Sequence, residues 1–190
     1  MNASGPRLAT RRLHLRPFTR SDVDDLFATD GDARVMRYIG TGAGPRTRDE
    51  VVKALDRIVG YAADHPGLGL LHVGRREDGA FVGACGLFPL SDGSDIEIAY
   101  RLQHAAWGQG FATEAAHAVV EHGFAMLGLA RIVGLTFDEN AASQRVLRKI
   151  GFQDAGTAFH YEREMRFFIQ TRERYDAALP AQEVVSGAAP

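Results

Sequence analysis

Hydrophobic and polar positions along the chain change period several times, and each change marks an element. Leu13-His-Leu-Arg16 alternates as a half-buried strand does, and Pro17 ends the alternation. Ser21 reads as the cap of a short helix through about Asp30, with Asp22, Asp24 and Asp25 at its positive end. Thr47-Arg-Asp-Glu50 has capping-box spacing, so each of the two side chains can satisfy a free backbone N–H. Behind it Val51, Leu55, Ile58, Val59 and Ala62 share one helical stripe, which His65-Pro66-Gly67 stops. Strands follow over Leu70–Arg75 and Ala80–Phe88, joined by Glu77-Asp78-Gly79, whose Asp-Gly pair suits a hairpin turn. A strand over Asp95–Leu102 sets Ile96, Ile98 and Tyr100 on one face and Glu97, Ala99 and Arg101 on the other.

Beyond residue 110 the period lengthens. Ala112, Ala115, Ala116, Val119, Val120, Phe124 and Leu127 form a helical stripe that runs to Gly128. Arg131–Phe137 is rich in branched residues and reads as a strand. Asn140–Ile150 reads as a short helix with Val146, Leu147 and Ile150 toward the core and Gly151 as its stop. Two strands, Phe152–Phe159 and Glu164–Ile169, precede a helix around Thr171–Ala178. The order predicts an α/β (α+β) sandwich: one mixed, mostly antiparallel sheet with helices on both faces. It also predicts a single domain over residues 8–178, with flexible ends at 1–7 and 179–190.

Composition narrows the chemistry more than the fold. A net charge of −2 gives no general attraction to nucleic acid or to an anionic membrane, so neither is expected as a partner. The single cysteine, Cys85, excludes an internal disulfide and a cysteine-based metal cluster; in FVGACGLF it reads as a small buried residue. The 7 histidines follow no ligand spacing: His117 and His122 do not share a helical face, and no metal is expected. No apolar run reaches the roughly 20 residues that cross a bilayer. The opening MNASGPRLATRR lacks an apolar signal core, so the expected location is cytoplasmic.

Trp107-Gly-Gln-Gly-Phe-Ala-Thr113 stands where a strand gives way to a helix. Gly108 and Gly110 let the backbone turn sharply and approach a ligand, and the helix behind them offers unpaired N–H groups and a positive dipole end. Between Arg101 and Arg131 there is no lysine or arginine, so these amides are expected to carry anion binding, a pyrophosphate above all. A tight turn before a helix would use the same glycines. GxxxxGK[ST] is absent, and GxGxxG fails at Thr113, which argues against nucleotide and dinucleotide sites.

The stretches EIAYRLQHAAWGQGFATEA and NAASQRVLRKIGF together resemble the GNAT superfamily of Gcn5-related N-acetyltransferases. Within it the RimJ/RimL-type branch is closest, and TRRLHLRPFTRSDVDDLF resembles that branch's opening strand and helix. The similarity covers about residues 8–170. It implies acetyl-CoA as cosubstrate, with its pyrophosphate on the loop amides of Gly108, Gln109, Gly110, Phe111, Ala112 and Thr113. Trp107 stands where the family loop opens with Gln or Arg, and it reads as a core anchor or as a cover over the cofactor. The resemblance also implies a strand splayed from its neighbour, with backbone near Tyr100 and Leu102 pairing with pantetheine. Asn140 would bond the same arm, cap its helix, or do both.

Glu97 is the candidate general base, because an ammonium must lose a proton before it can attack a thioester. It matches the glutamate of EIGY-like sequences in that branch; the competing reading is an exposed strand glutamate in a surface ion pair. Ser143 matches the family serine beside the leaving thiolate, or else bonds its own helix. Tyr100 and Tyr161 rank behind it as acids, since buried tyrosines mostly fill core. Direct transfer to a primary amine, a protein N-terminus or a small molecule, is the implied reaction. A noncatalytic acyl-CoA sensor or assembly module is the alternative, and a homodimer is left open. Gly40–Pro45 is expected near the acceptor cleft, as a lid or as a plain surface loop, and Arg34, Arg37 and Tyr38 before it either line the cleft or are solvated.

Overall fold

A computed structural model of the chain describes residues 5–179. Of the ends expected to be flexible, 1–7 and 179–190, residues 1–4 and 180–190 lie outside the described residues. Eight strands form one sheet in the order β1-β2-β3-β4-β5-β6-β8-β7. They are β1 (Leu8–Ala9), β2 (Leu13–Pro17), β3 (Gly69–Arg75), β4 (Phe81–Pro89), β5 (Ile96–Leu102), β6 (Arg131–Thr136), β7 (Gln153–His160) and β8 (Arg163–Thr171). Every neighbouring pair is antiparallel except β5 and β6, which run parallel.

The sheet separates two apolar layers. On one side Phe18, Leu26, Val51, Leu55, Leu70 and Ala84 pack beneath α1 (Val23–Asp30) and α3 (Arg48–Asp64). On the other, Leu71 and Cys85 belong to the larger core with Ala116, Val120 and Phe124 of α4 (Phe111–Ala125) and Leu147 of α5 (Ala141–Lys149). Leu70 and Leu71, adjacent in β3, point to opposite layers, as the two-residue repeat of a strand requires. Helices therefore cover both faces, as the periodicity predicts. Among the described residues no helix is long and apolar enough to cross a membrane.

Local chemistry explains most boundaries. Thr47 and Glu50 form the expected capping box: the Thr47 N–H donates to Glu50 Oε2 at 2.8 Å, and Thr47 Oγ1 accepts from the Glu50 N–H. Gly79 takes φ +75° in the hairpin between β3 and β4. The entry to α1 differs from expectation. Thr19 and Asp22, rather than Ser21, make the capping box there, over a 3₁₀ turn at Arg20–Asp22. Asp22 suits that place because the Arg16 guanidinium binds both its oxygens, at 2.8 Å each. Two elements are too short for any period to reveal: β1, held by Leu8 opposite Leu15, and α2 (Ala33–Met36), a single turn capped by Asp32. The last helix among the described residues is α6 (Arg172–Ala178), capped by Thr171.

Candidate active site

The parallel pair is where the sheet opens. β5 and β6 share one register pair, Glu97 with Val133, and beyond it they diverge. The gap leads into a cavity of about 720 Å³ that reaches the start of α4, the first turns of α5 and the segment around α2.

At one end of the cavity stands the glycine loop. Gly108 (φ +75°) and Gly110 (φ +80°) both occupy the left-handed region, where a side chain would be strained. Gly110 is the N-cap of α4 and supplies no side-chain cap, so the first-turn amides of Phe111, Ala112 and Thr113 stay open. Gly108, Gly110, Phe111, Ala112 and Thr113 all line the cavity. Gln109 does not: its side-chain amide donates to the Ala105 carbonyl at 2.9 Å, and its own carbonyl accepts from Arg12 Nη1 at 2.9 Å.

Arg12 is a residue that inspection of the local sequence misses. From the turn between β1 and β2 it reaches Gln109, lies 4.6 Å over the Phe111 ring, and donates through Nε to Glu114 Oε2 at 2.6 Å. Glu114 also accepts from the Thr10 hydroxyl and the Arg12 N–H, which locks the turn to the first turn of α4. Helix α5 brings two cations to the same cavity. Arg145 and Lys149, one helical turn apart, both line the cavity and have no ion pair among the described residues. Such cations are invisible when only residues 101–131 are scanned.

Of the two readings of Trp107, the structure excludes the core anchor. The residue is 48% exposed; its indole N–H donates to the Leu102 carbonyl at 3.0 Å, and the ring forms part of the cavity wall. The Leu102 carbonyl thereby already accepts one bond from within the chain. Asn140 caps α5, its Oδ1 accepting from the Ser143 N–H at 3.1 Å, while its side-chain N–H groups meet no protein acceptor among the described residues. Both expected uses of Asn140 are sterically compatible with this pose.

Across the gap the chemistry is titratable. Glu97 is buried, 7% exposed, and is no surface ion-pair residue. Burial pushes its carboxyl up to about 7, against the opposing pull of hydrogen bonds from the Tyr161 hydroxyl and the Leu135 N–H. The hydroxyls of Tyr100 and Ser143 lie 2.9 Å apart, and Tyr100 also reaches the Ser143 carbonyl at 3.1 Å. Burial raises the Tyr100 phenol above its ordinary value. Glu97, Tyr100, Ser143 and Tyr161 all face the one cavity.

The remaining wall comes from α2 and the segment behind it. Arg34, Val35, Tyr38, Ile39 and Gly40 border the cavity. Tyr38 leans on Phe137 at 5.4 Å, and Arg37 lies over the Tyr38 ring. The base of the Gly40–Pro45 loop is anchored rather than loose: fully buried Asp30 accepts from Arg46 Nη1 and from Arg101 Nε, each at 2.6 Å.

Comparison with known proteins agrees with this architecture. A family profile described as "Acetyltransferase (GNAT) domain" matches residues 12–153. The "Uncharacterized N-acetyltransferase YoaA" of Bacillus subtilis (strain 168) is 34% identical over 159 residues, covering 82% of this chain and 88% of that one. The "FsC-acetyl coenzyme A-N(2)-transacetylase" of Aspergillus fumigatus is 32% identical over 187 residues, covering 90% and 78%. Among solved structures, a GNAT-family acetyltransferase from Bacillus anthracis superposes with a TM-score of 0.77 at 23% identity, covering 88% of this chain and 99% of that one. The fold and site define an acyl-CoA-dependent acetyltransferase. The chain belongs to the GNAT acetyltransferase family.

Proposed function

We propose that this protein is a cytoplasmic N-acetyltransferase of the RimJ/RimL-type branch. It moves an acetyl group from acetyl-CoA to a primary amine, a protein N-terminus or a small molecule, within a ternary complex. One observation carries the reading. A single cavity joins open helix N-terminal amides at one end to a buried carboxylate at the other, through a gap between two strands. The amides of Phe111, Ala112 and Thr113 suit a pyrophosphate, supported by Arg145 and Lys149. The free N–H groups of Asn140 and the backbone near Tyr100 suit the amides of a pantetheine arm. The thioester then lies in the gap between Glu97 and Ser143.

Glu97 accepts a proton from the bound ammonium, and the freed nitrogen attacks the thioester carbonyl. The tetrahedral adduct collapses with cleavage of the C–S bond as its nitrogen sheds a second proton to solvent. That proton offsets the one delivered to sulfur and lets solvent restore Tyr100. The departing thiolate is met by the Ser143 hydroxyl, whose proton can be replaced through Tyr100. No covalent acyl-enzyme enters, and much of the rate gain comes from holding the two substrates in attack geometry. A carboxyl poised near neutrality fits its part, because it can take a proton and return it to water within one turnover.

The test pairs binding with turnover. Acetyl-CoA should raise the melting temperature, by about 2.7 kcal/mol of stability at a hundredfold excess over Kd, while ATP and NAD leave it unchanged. An equal shift with ATP removes the cofactor assignment. CoA release over a panel of amines then names the acceptor; binding without release from any of them would favour the sensor reading.

A further inference from the structure

We propose that Tyr161 is the positioning residue for this reaction: from the tip of the β7–β8 hairpin its hydroxyl fixes the Glu97 carboxylate so that the free lone pairs face the acceptor. The proposal rests on Glu97 being the proton acceptor.

The hairpin tip is the first observation. His160 pairs with Arg163, leaving Tyr161 and Glu162 as a two-residue turn with φ +52° and +62°. Such a turn is ordinarily made by Asn-Gly or Asp-Gly, which tolerate positive φ. Tyr161 and Glu162 are the only non-glycine residues with positive φ among the described residues. Each carries a left-handed penalty on the order of 1–2 kcal/mol relative to ordinary backbone. The two-residue turn demands positive φ at both positions, and a tyrosine stands at the first of them despite that cost.

Where that side chain goes is the second observation. Tyr161 leaves β7, the outermost strand on its side of the sheet, and crosses to Glu97 in β5, where its hydroxyl donates to Oε2. Its ring is 39% exposed and forms cavity wall, so it is not the core-filling tyrosine that its residue type suggests. Among the described residues the Tyr161 hydroxyl is the side-chain donor that holds this carboxylate. An ionised carboxylate offers about four lone-pair sites, so the others remain for the ammonium. The phenol proton is committed to Glu97. Protonation of the leaving thiolate therefore falls to Ser143 and Tyr100 on the opposite wall.

Removing the hydroxyl takes a hydrogen bond from the charged form of Glu97 and leaves its burial in place, so its pKa rises. Tyr161→Phe should shift the acidic limb of the kcat/KM–pH profile upward by about one pH unit from its wild-type position. At pH 7 turnover should fall about fivefold and recover by pH 9, with the acetyl-CoA Kd close to wild type. An unmoved acidic limb, or a loss that is equal at every pH, overturns the role. Glu97→Gln measured beside it separates the two readings. If that variant keeps the wild-type profile, Glu97 is not the base and the role of Tyr161 falls with it. If it loses the acidic limb while Tyr161→Phe keeps it unshifted, only the positioning role falls.

Discussion

Glu97 sits at odds with its surroundings, and that conflict is measurable. Its carboxyl titrates near 7 in the folded chain against 4.5 for the free group, so between those values the folded state binds more protons than the unfolded. Stability therefore falls as pH rises through that window, by up to about 3 kcal/mol once Glu97 is fully ionised. Glu97→Gln should consequently raise the melting temperature by several degrees at pH 8, with the gain fading toward pH 4.5, while turnover is lost. Thermal melts of both proteins across pH 4–9 check this; a gain independent of pH would mean that ionisation is not its source. The residue itself was legible, because EIAY stands at a recognisable distance before the glycine loop. Its burial and its tie to Tyr161 were not. The partner lies 64 positions away in the chain, and no pattern local to either residue encodes the contact.

At the scale of elements the chain announces long periods and conceals short ones. The α3 and α4 stripes, the Thr47 cap and the Asp-Gly hairpin were each readable from spacing. β1 and α2 hold too few residues to complete a period, and they exist because β2 and Asp32 offer them hydrogen bonds. Trp107 misled for a related reason: a large aromatic is usually interior, but here a bond from its indole N–H to the end of β5 holds it at the surface. The β1–β2 turn shows how a minor element serves a major one. Through Arg12 and Glu114 it braces the glycine loop against α4. Arg12→Ala should therefore weaken acetyl-CoA binding by roughly fivefold, about 1 kcal/mol, with little change in the KM of the amine. Calorimetric titration against steady-state kinetics distinguishes this from general destabilisation, which would lower active fraction and leave both constants alone.

For the molecule as a whole, the sheet order falls into two runs. One is antiparallel from β1 to β5, the other comprises β6, β8 and β7, and they are joined in the sheet by a single register pair. Alternating strand patterns give antiparallel neighbours readily. The parallel crossover through α4 and the gap beside it follow from the ordering of the whole chain, which is why the sequence pointed to the gap only by family resemblance. Edges that lack partners exchange their amide protons quickly unless something covers them. Acetyl-CoA should accordingly slow hydrogen exchange along residues 99–102 and 134–136 more than in β3 or β8, and CoA alone should do nearly the same. Exchange slowed uniformly across the sheet would place the ligand elsewhere. On the proposed binding mode the seam would make the cosubstrate a temporary member of the fold, a rung lent to a ladder that lacks one. With every acetyl group delivered, the protein would then have to loosen along its own spine before the spent carrier could depart.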